Sequence, residues 1–300
     1  MQGEQTDAPR RPEPGSGDWH DPRVALRNAG CRPKRHLGQH FLVAEPIARA
    51  IALACVPADE VGRARVVEIG GGTGALSRLL ATRARSLVAI EHDRELAPVL
   101  EHELADSGAR VLEADAQSID FAALFAESGL EGPRVLCGNL PYAITGPLLR
   151  RAVECVDHVD RIVFMIQSEV AERLVARPGT KSWGALTVFV RACYDARRLL
   201  RASPGAFHPP PEVASAVVEL VPLHPRRALE TPTFRSLVRH AFNARRKTLR
   251  NAWAGLAPDR AALARAADQA RISLDARGET LDVEDFARMA AVLDEIGSPR

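Results

Sequence analysis

Several groups in this chain could do chemistry together. A glycine-rich segment, Glu68-Ile69-Gly70-Gly71-Gly72-Thr73-Gly74, follows an apolar run and precedes a helical pattern. Glu91 and Asp115 close the next two apolar runs, and a fourth run ends in Asn139-Leu140-Pro141-Tyr142. Glycines let a chain turn sharply and let a ligand lie against bare backbone. Asn139 brings a side-chain carbonyl. Leu140 and Pro141 bring main-chain carbonyls, and Tyr142 brings a flat ring. Such a set suits a planar base that carries an exocyclic amine.

A glycine loop between strand and helix serves NAD, FAD and S-adenosylmethionine alike, or is only a tight turn. Here the glycines stand at 70, 72 and 74, position 75 is Ala, and Glu68 precedes the first of them by two. A carboxylate there would repel a pyrophosphate but could orient the loop or receive an ammonium group. Glu91 is placed to accept both ribose hydroxyls, as NAD and S-adenosylmethionine each require. Asp115 can accept from an adenine N6 amine. Each acid alone reads as a loop residue or a helix cap. Three of them ending successive strands on one sheet edge is harder to dismiss, because open α/β sheets bind ligands at that edge.

The amine of adenine is a poor nucleophile, since its lone pair is delocalised into the ring. Asn139 and the Leu140 or Pro141 carbonyl could each take one N6 hydrogen, hold the nitrogen nearer tetrahedral, and aim it at a methyl donor. An amide is no general base, so none is assigned. Tyr142 could stack on the base, or be a core residue beside a turn. Phe207, in Ala206-Phe207-His208-Pro209-Pro210-Pro211, is a second candidate stacker, though an ordinary buried Phe fits as well.

A strand–helix alternation must position these groups. The pattern predicts strands over 65–69, 86–90, 110–112, 134–137 and 161–166, with helices between them, hence a parallel sheet covered on both faces. After 167 the rhythm changes. Residues 183–190 read as helix or strand, and 199–200 and 217–220 read as strands flanking the proline-rich loop. From about Arg226 the text is helical. Phe234, Leu237, Val238, Ala241 and Phe242 keep one apolar face, and Asp282 with Asp285 can cap a last helix. These shifts divide the chain into a flexible tail (1–30), an α/β domain (31–225) and a helical domain (226–300).

Apolar residues make up 46% and charged residues 26%, ordinary values for a globular protein. Five scattered cysteines form no C-x-x-C pair and no metal-like set with His, which fits reduced intracellular thiols. No metal site is expected. No apolar run reaches a membrane span, and no signal peptide is seen, so a cytoplasmic, non-membrane protein is expected. Net charge is only +2, yet residues 226–250 hold seven Arg and Lys247 against Glu230. One concentrated basic segment suggests an anionic partner on one face, or else a solvated helix.

Taken in order, these motifs resemble a known superfamily. They are Lys34-Arg35-His36-Leu37-Gly38-Gln39-His40-Phe41-Leu42, Glu68-Ile69-Gly70, Gly138-Asn139-Leu140-Pro141-Tyr142, and Ala206-Phe207-His208-Pro209-Pro210-Pro211-Glu212-Val213 with Ser215-Ala216-Val217-Val218. The resemblance is to the rRNA adenine N6-dimethyltransferases. Residues 242–251 and Leu281-Asp282-Val283-Glu284-Asp285-Phe286 look like its small-subunit (16S) branch. The resemblance implies a Rossmann-like S-adenosylmethionine-dependent methyltransferase sheet with a small C-terminal all-helical domain. It implies cofactor contacts at His40, Leu42, Gly70, Glu91, Asp115 and Asn139, with Gly72 in the same loop. It implies that residues 139–142 hold the target adenine with Phe207 stacking on it. The implied substrate is two adjacent adenosines in a hairpin near the 3′ end of small-subunit rRNA, dimethylated within an assembling subunit, with S-adenosylhomocysteine as product. Lys34, Arg35, Arg245, Arg246, Lys247 and Arg250 are then expected to meet rRNA phosphates, and a monomer is expected. One departure is His40, where many members carry Asn. Three alternatives stand beside this reading: a large-subunit rRNA methyltransferase conferring antibiotic resistance, a non-catalytic ribosome-assembly factor, and an NAD-dependent oxidoreductase.

Overall fold

The computed structural model describes residues 19–127 and 129–297. In chain order its strands are β1 (Phe41–Leu42), β2 (Arg65–Ile69), β3 (Ser86–Glu91), β4 (Arg110–Glu113), β5 (Arg134–Asn139), β6 (Arg161–Gln167), β7 (Tyr194–Ala202), β8 (Phe207–His208) and β9 (Ser215–Pro222). The helices through the sheet region are α1 (Pro22–Asn28), α2 (Glu45–Cys55), α3 (Ala75–Ala81), α4 (Ala97–Leu104), α5 (Phe121–Glu127), α6 (Thr145–Glu154), α7 (Ser168–Leu174) and α8 (Ala185–Cys193). Beyond them lie α9 (Pro232–Asn243), α10 (Leu249–Ala252), α11 (Arg260–Gln269) and α12 (Val283–Gly297).

Seven strands form one sheet in the order β4-β3-β2-β5-β6-β9-β7. The pairs among β2 to β6 are parallel, and β9 and β7 extend the sheet antiparallel. The inner parallel strands β3, β5 and β6 read as apolar runs because both faces are buried, whereas the edge strand β4 has no buried residue and β2 carries Glu68 within its run. Val67, Leu136, Ile162 and Phe164 enter one core, while Val66, Val135, Val163 and Met165 enter the other. Gly138 pairs with Ile69 at the end of the β2–β5 ladder. A Cβ there would stand 2.3 Å from the Ile69 carbonyl oxygen, so that position admits no side chain without moving the strand.

The helices after 231 close over a third core built on Phe234, Leu237, Trp253 and Phe286. Asp282 and Asp285 exchange main-chain-to-carboxylate bonds of 2.7 and 3.0 Å, giving α12 the expected cap. Trp183, Val188 and Ala192, on or beside α8, belong to this same core. Among the described residues no helix is long and apolar enough to cross a membrane.

The start of the chain differs from the expected tail. Residues 1–18 lie outside the described residues, but Pro22–Asn28 is helical. Asp21 caps it by accepting from the Arg23 N–H at 2.8 Å, Pro22 occupies its first turn, and Leu26 packs with Phe41 and Leu96. So short a helix depends on packing, which sequence periodicity does not display.

Candidate active site

The register builds the site. Ile69 is level with Gly138 on one side and with Ile90 on the other. Gly70, Asn139 and Glu91 therefore leave the sheet at one height. Strand order reverses at β2 and β5, the crevice where such sheets bind ligands. A cavity of about 260 Å³ opens there, lined by His40, Leu42, Gly70, Gly72, Glu91 and Asp115, and by all four residues of Asn139-Leu140-Pro141-Tyr142.

Glu91 is held by main-chain N–H groups. Its Oε2 accepts the Gly72 N–H and its Oε1 accepts the Asp93 N–H, each at 2.8 Å. Each oxygen keeps a lone pair for a hydroxyl. Burial raises the Glu91 carboxyl above the usual range, and the N–H groups of Asp93, Gly72 and His92 oppose that rise. Gly72 has φ +57°, and a Cβ on it would meet the Phe41 ring at 3.3 Å. Both the left-handed backbone and the Phe41 ring, which also lines the cavity, therefore favour glycine at 72. Asp115 is turned by its own loop, its Oδ1 accepting the Gln117 N–H at 2.9 Å.

Glu68 is only 1% exposed and lines the cavity. Its Oε2 has no hydrogen-bond partner among the described residues. Burial drives this carboxyl up to about 7, the Ser77 hydroxyl opposing and the Glu91 charge adding. A buried acceptor with no donor suits a ligand that brings its own cation. Glycines at 70 and 72, a pinned carboxylate at 91 and an orphaned acid at 68 fit a nucleoside that carries a positively charged amino-acid arm.

Segment 34–42 closes the cavity from above. Lys34 Nζ reaches Asp93 Oδ1 at 2.7 Å and Glu95 Oε1 at 3.1 Å. Gln39 Nε2 donates to Asp93 Oδ2 at 2.7 Å, and Gln39 Oε1 accepts the Lys34 N–H at 2.7 Å. Sequence reasoning assigned no role to Gln39 or Asp93, since nothing local links positions so far apart. Lys34, expected to meet RNA, is spent on this strap.

The acceptor motif is tied down atom by atom. Asn139 Nδ2 donates to the His40 carbonyl at 2.8 Å. The Pro141 carbonyl accepts the Ile144 N–H at 3.1 Å and the Thr145 hydroxyl at 3.2 Å. Among the described residues no donor reaches the Leu140 carbonyl, while its N–H donates to Met165 at 3.0 Å. The Tyr142 and Ser215 hydroxyls bond at 2.7 Å, and burial raises the Tyr142 phenol. Phe207 stands apart. It is 4% exposed, pairs with Leu42, and packs in the core beneath the cavity rather than on its lining.

The basic residues divide. Arg245 bonds to Glu279 at 3.1 Å and to the Lys181 carbonyl at 3.0 Å, and Arg250 bonds to Asp275 at 3.0 Å. Arg35, Arg246 and Lys247 are exposed, and no side-chain partner is found for them among the described residues.

A family model described as ribosomal RNA adenine dimethylase matches residues 30–295. The chain belongs to that family. Ribosomal RNA small subunit methyltransferase A of Anaeromyxobacter sp. (strain K) is 42% identical over 92% of this chain and 98% of the relative. The protein of the same name from Geobacter metallireducens is 39% identical over 91% and 99%. Among solved structures, a dimethyladenosine transferase from Plasmodium falciparum superposes with a TM-score of 0.75 at 24% identity, covering 86% of this chain and 98% of the other. The 23S rRNA methyltransferase ErmE superposes with a TM-score of 0.62 at 25% identity, covering 85% and 99%. Family and fold together make this chain an S-adenosylmethionine-dependent rRNA adenine methyltransferase, of the Rossmann-like architecture expected from its motifs.

Proposed function

We propose that this chain methylates the N6 amines of two adjacent adenosines in a 3′-terminal hairpin of small-subunit rRNA, to N6,N6-dimethyladenosine, during ribosome assembly. The carrying observation is the Asn139 amide. Its N–H is committed to His40, so Oδ1 is left as the acceptor. The Pro141 carbonyl is occupied twice over, which makes the Leu140 carbonyl the second acceptor.

S-adenosylmethionine supplies an electrophilic methyl on a sulfonium and departs as S-adenosylhomocysteine. In this reading Gly70 and Gly72 carry its backbone-facing edge, Glu91 its ribose and Asp115 its adenine, with Leu42 and the main chain of His40 on the strap side. Asn139 Oδ1 and Leu140 O take the two hydrogens of the target amine and aim its lone pair. Water receives the proton released from the methylated nitrogen. Tyr142 stacks on the base. Phe207 supports this pocket through Leu42. Arg35, Arg246 and Lys247 meet phosphates directly, while Lys34, Arg245 and Arg250 shape the surface around them. The protein acts as a cytoplasmic monomer without a metal.

The relatives at 39–42% identity carry the small-subunit name, which favours that substrate over the large subunit. The test is methyl transfer to immature small subunits with the modified positions mapped. Dimethylation of adjacent adenosines is expected. Label appearing only in large-subunit rRNA, or in neither, would sink the proposal.

A further inference from the structure

Segment 40–43 runs antiparallel to segment 206–209. Phe41 faces His208 and Leu42 faces Phe207 in a two-residue ladder. The Val43 N–H extends it by donating to Ala206 O at 2.8 Å. At the other end the ladder meets Pro209, which has no N–H to give. There the link is made by a side chain instead, with His40 Nδ1 2.8 Å from the Pro209 carbonyl. A carbonyl only accepts, so Nδ1 carries the proton and Nε2 carries the lone pair in the neutral ring.

The same residue touches the acceptor motif twice more. Its carbonyl takes the Asn139 amide N–H at 2.8 Å. Its ring lies 5.5 Å from the Tyr142 ring, tilted by 31°. Tyr142 is fixed at its far end by Ser215, at the start of β9. One residue therefore joins the amide that aims the amine, the ring offered to the base, and the proline-rich loop behind them.

We propose that His40 is a positioning residue for the target adenine: through Nδ1–H it pins the 207–211 loop, and so holds its own carbonyl and ring where Asn139 and Tyr142 need them. The proposal rests on the acceptor role given above to residues 139–142. It differs from a plain cofactor contact, because loss of the imidazole then harms turnover more than cofactor affinity. Asn places a side-chain N–H at the same distance from the main chain as His Nδ1 and can keep the pin. Ala and Leu cannot.

Two measurements on the full chain decide it. The first is methyl transfer to immature small subunits by wild type, His40→Ala, His40→Leu and His40→Asn, beside S-adenosylhomocysteine affinity for each. His40→Ala and His40→Leu are expected to lose about tenfold or more in kcat with less than about a threefold change in Kd, and His40→Asn to recover most of kcat. Equal losses in kcat and Kd, no loss at all, or no recovery by Asn would overturn the proposal. The second is a long-range proton–nitrogen spectrum of labelled wild type bound to S-adenosylhomocysteine, with His40 assigned by its disappearance in His40→Asn. The Nδ1–H tautomer is expected, and the Nε2–H tautomer overturns the pin even if the kinetics agree. Failure of wild type to methylate small subunits would instead strike the proposed function, and the spectrum would still decide the pin.

Discussion

Lys34 and Asp93 form a 2.7 Å ion pair between the strap over the cavity and the loop that follows Glu91. Asp93 is 4% exposed, and its neighbours Glu95 N–H and Gln39 Nε2 complete its shell. The pair ties the 34–42 segment to the loop that follows β3. Lys34→Met should therefore weaken S-adenosylhomocysteine binding and lower the melting temperature, while the salt dependence of rRNA binding stays as in wild type. Burial alone would raise the Asp93 carboxyl, but Lys34, Glu95 N–H and Gln39 together hold it below its usual value. A depressed acid contributes stability above its unfolded value and loses it as pH falls through the folded one. The gap in melting temperature between wild type and Lys34→Met should thus shrink on acidification below the ordinary Asp range. A gap that is flat with pH, or a lost salt slope, would return Lys34 to the RNA-binding set.

Asn139→Ala removes one of the two proposed acceptors of the amine hydrogens and frees the His40 carbonyl. Loss of a single preorganised polar group of this kind costs about a hundredfold or more in kcat. Cofactor affinity should change by less than about threefold, measured by titration with S-adenosylhomocysteine. Asn139→Asp is the sharper variant. It keeps an acceptor, yet a carboxylate cannot donate to the His40 carbonyl, so it should be as poor as Ala. An Asp variant near wild type would show that the orientation set by His40 is irrelevant.

Glu68 makes a pH signature in the absence of ligand. Its carboxyl stands at about 7 in the folded chain against an ordinary 4.5. A raised acid penalises folding as pH rises from the unfolded value through the folded one. Those two values correspond to about 3 kcal/mol once the group is fully ionised. Glu68→Gln lacks that titration. Its unfolding free energy relative to wild type should rise by about 3 kcal/mol between pH 4.5 and pH 8 in urea titrations. A pH-independent difference would mean that Glu68 is already compensated in the free protein.

How much of this was readable follows from which contacts are local. The inner parallel strands announce themselves because burial on both faces leaves short, largely apolar runs. Their register then brings Gly70, Glu91 and Asn139 to one edge without further instruction. Residues 183–190 were ambiguous for a physical reason. α8 is wedged between two cores, with Val190 and Cys193 in one and Val188 and Ala192 in the other, so only Thr187 and Arg191 interrupt its apolar run and a strand fits the short stretch as well. α1 was missed because Leu26 finds its partners at Phe41 and Leu96. The His40–Pro209 and Lys34–Asp93 bonds join residues that share no local pattern. The proposed preference for Leu140 over Pro141 as second acceptor rests instead on a local turn, since Ile144 and Thr145 occupy the Pro141 carbonyl only once that turn has formed. The basic segment 226–250 did not show that Arg245 and Arg250 have counter-charges at Glu279 and Asp275, which lie some 25 to 34 residues further along the chain.

That pairing makes a prediction about rRNA binding. Arg246 and Lys247 are exposed beside Arg245, in the turn between α9 and α10. Cations without acids beside them release counterions when they meet phosphate, whereas an ion-paired arginine must first give up its partner. Arg246→Ala with Lys247→Ala should weaken binding to small-subunit rRNA and reduce the slope of log K against log salt by about 1.5, as expected for two phosphate contacts at roughly 0.7–0.9 each. Arg250→Ala should change that slope by less than about 0.5, because Asp275 already answers its charge. Cofactor affinity should be untouched in both. Equal slope changes for the double variant and Arg250→Ala would show that the rRNA strips Asp275 from Arg250, and the contact surface would then widen along α10.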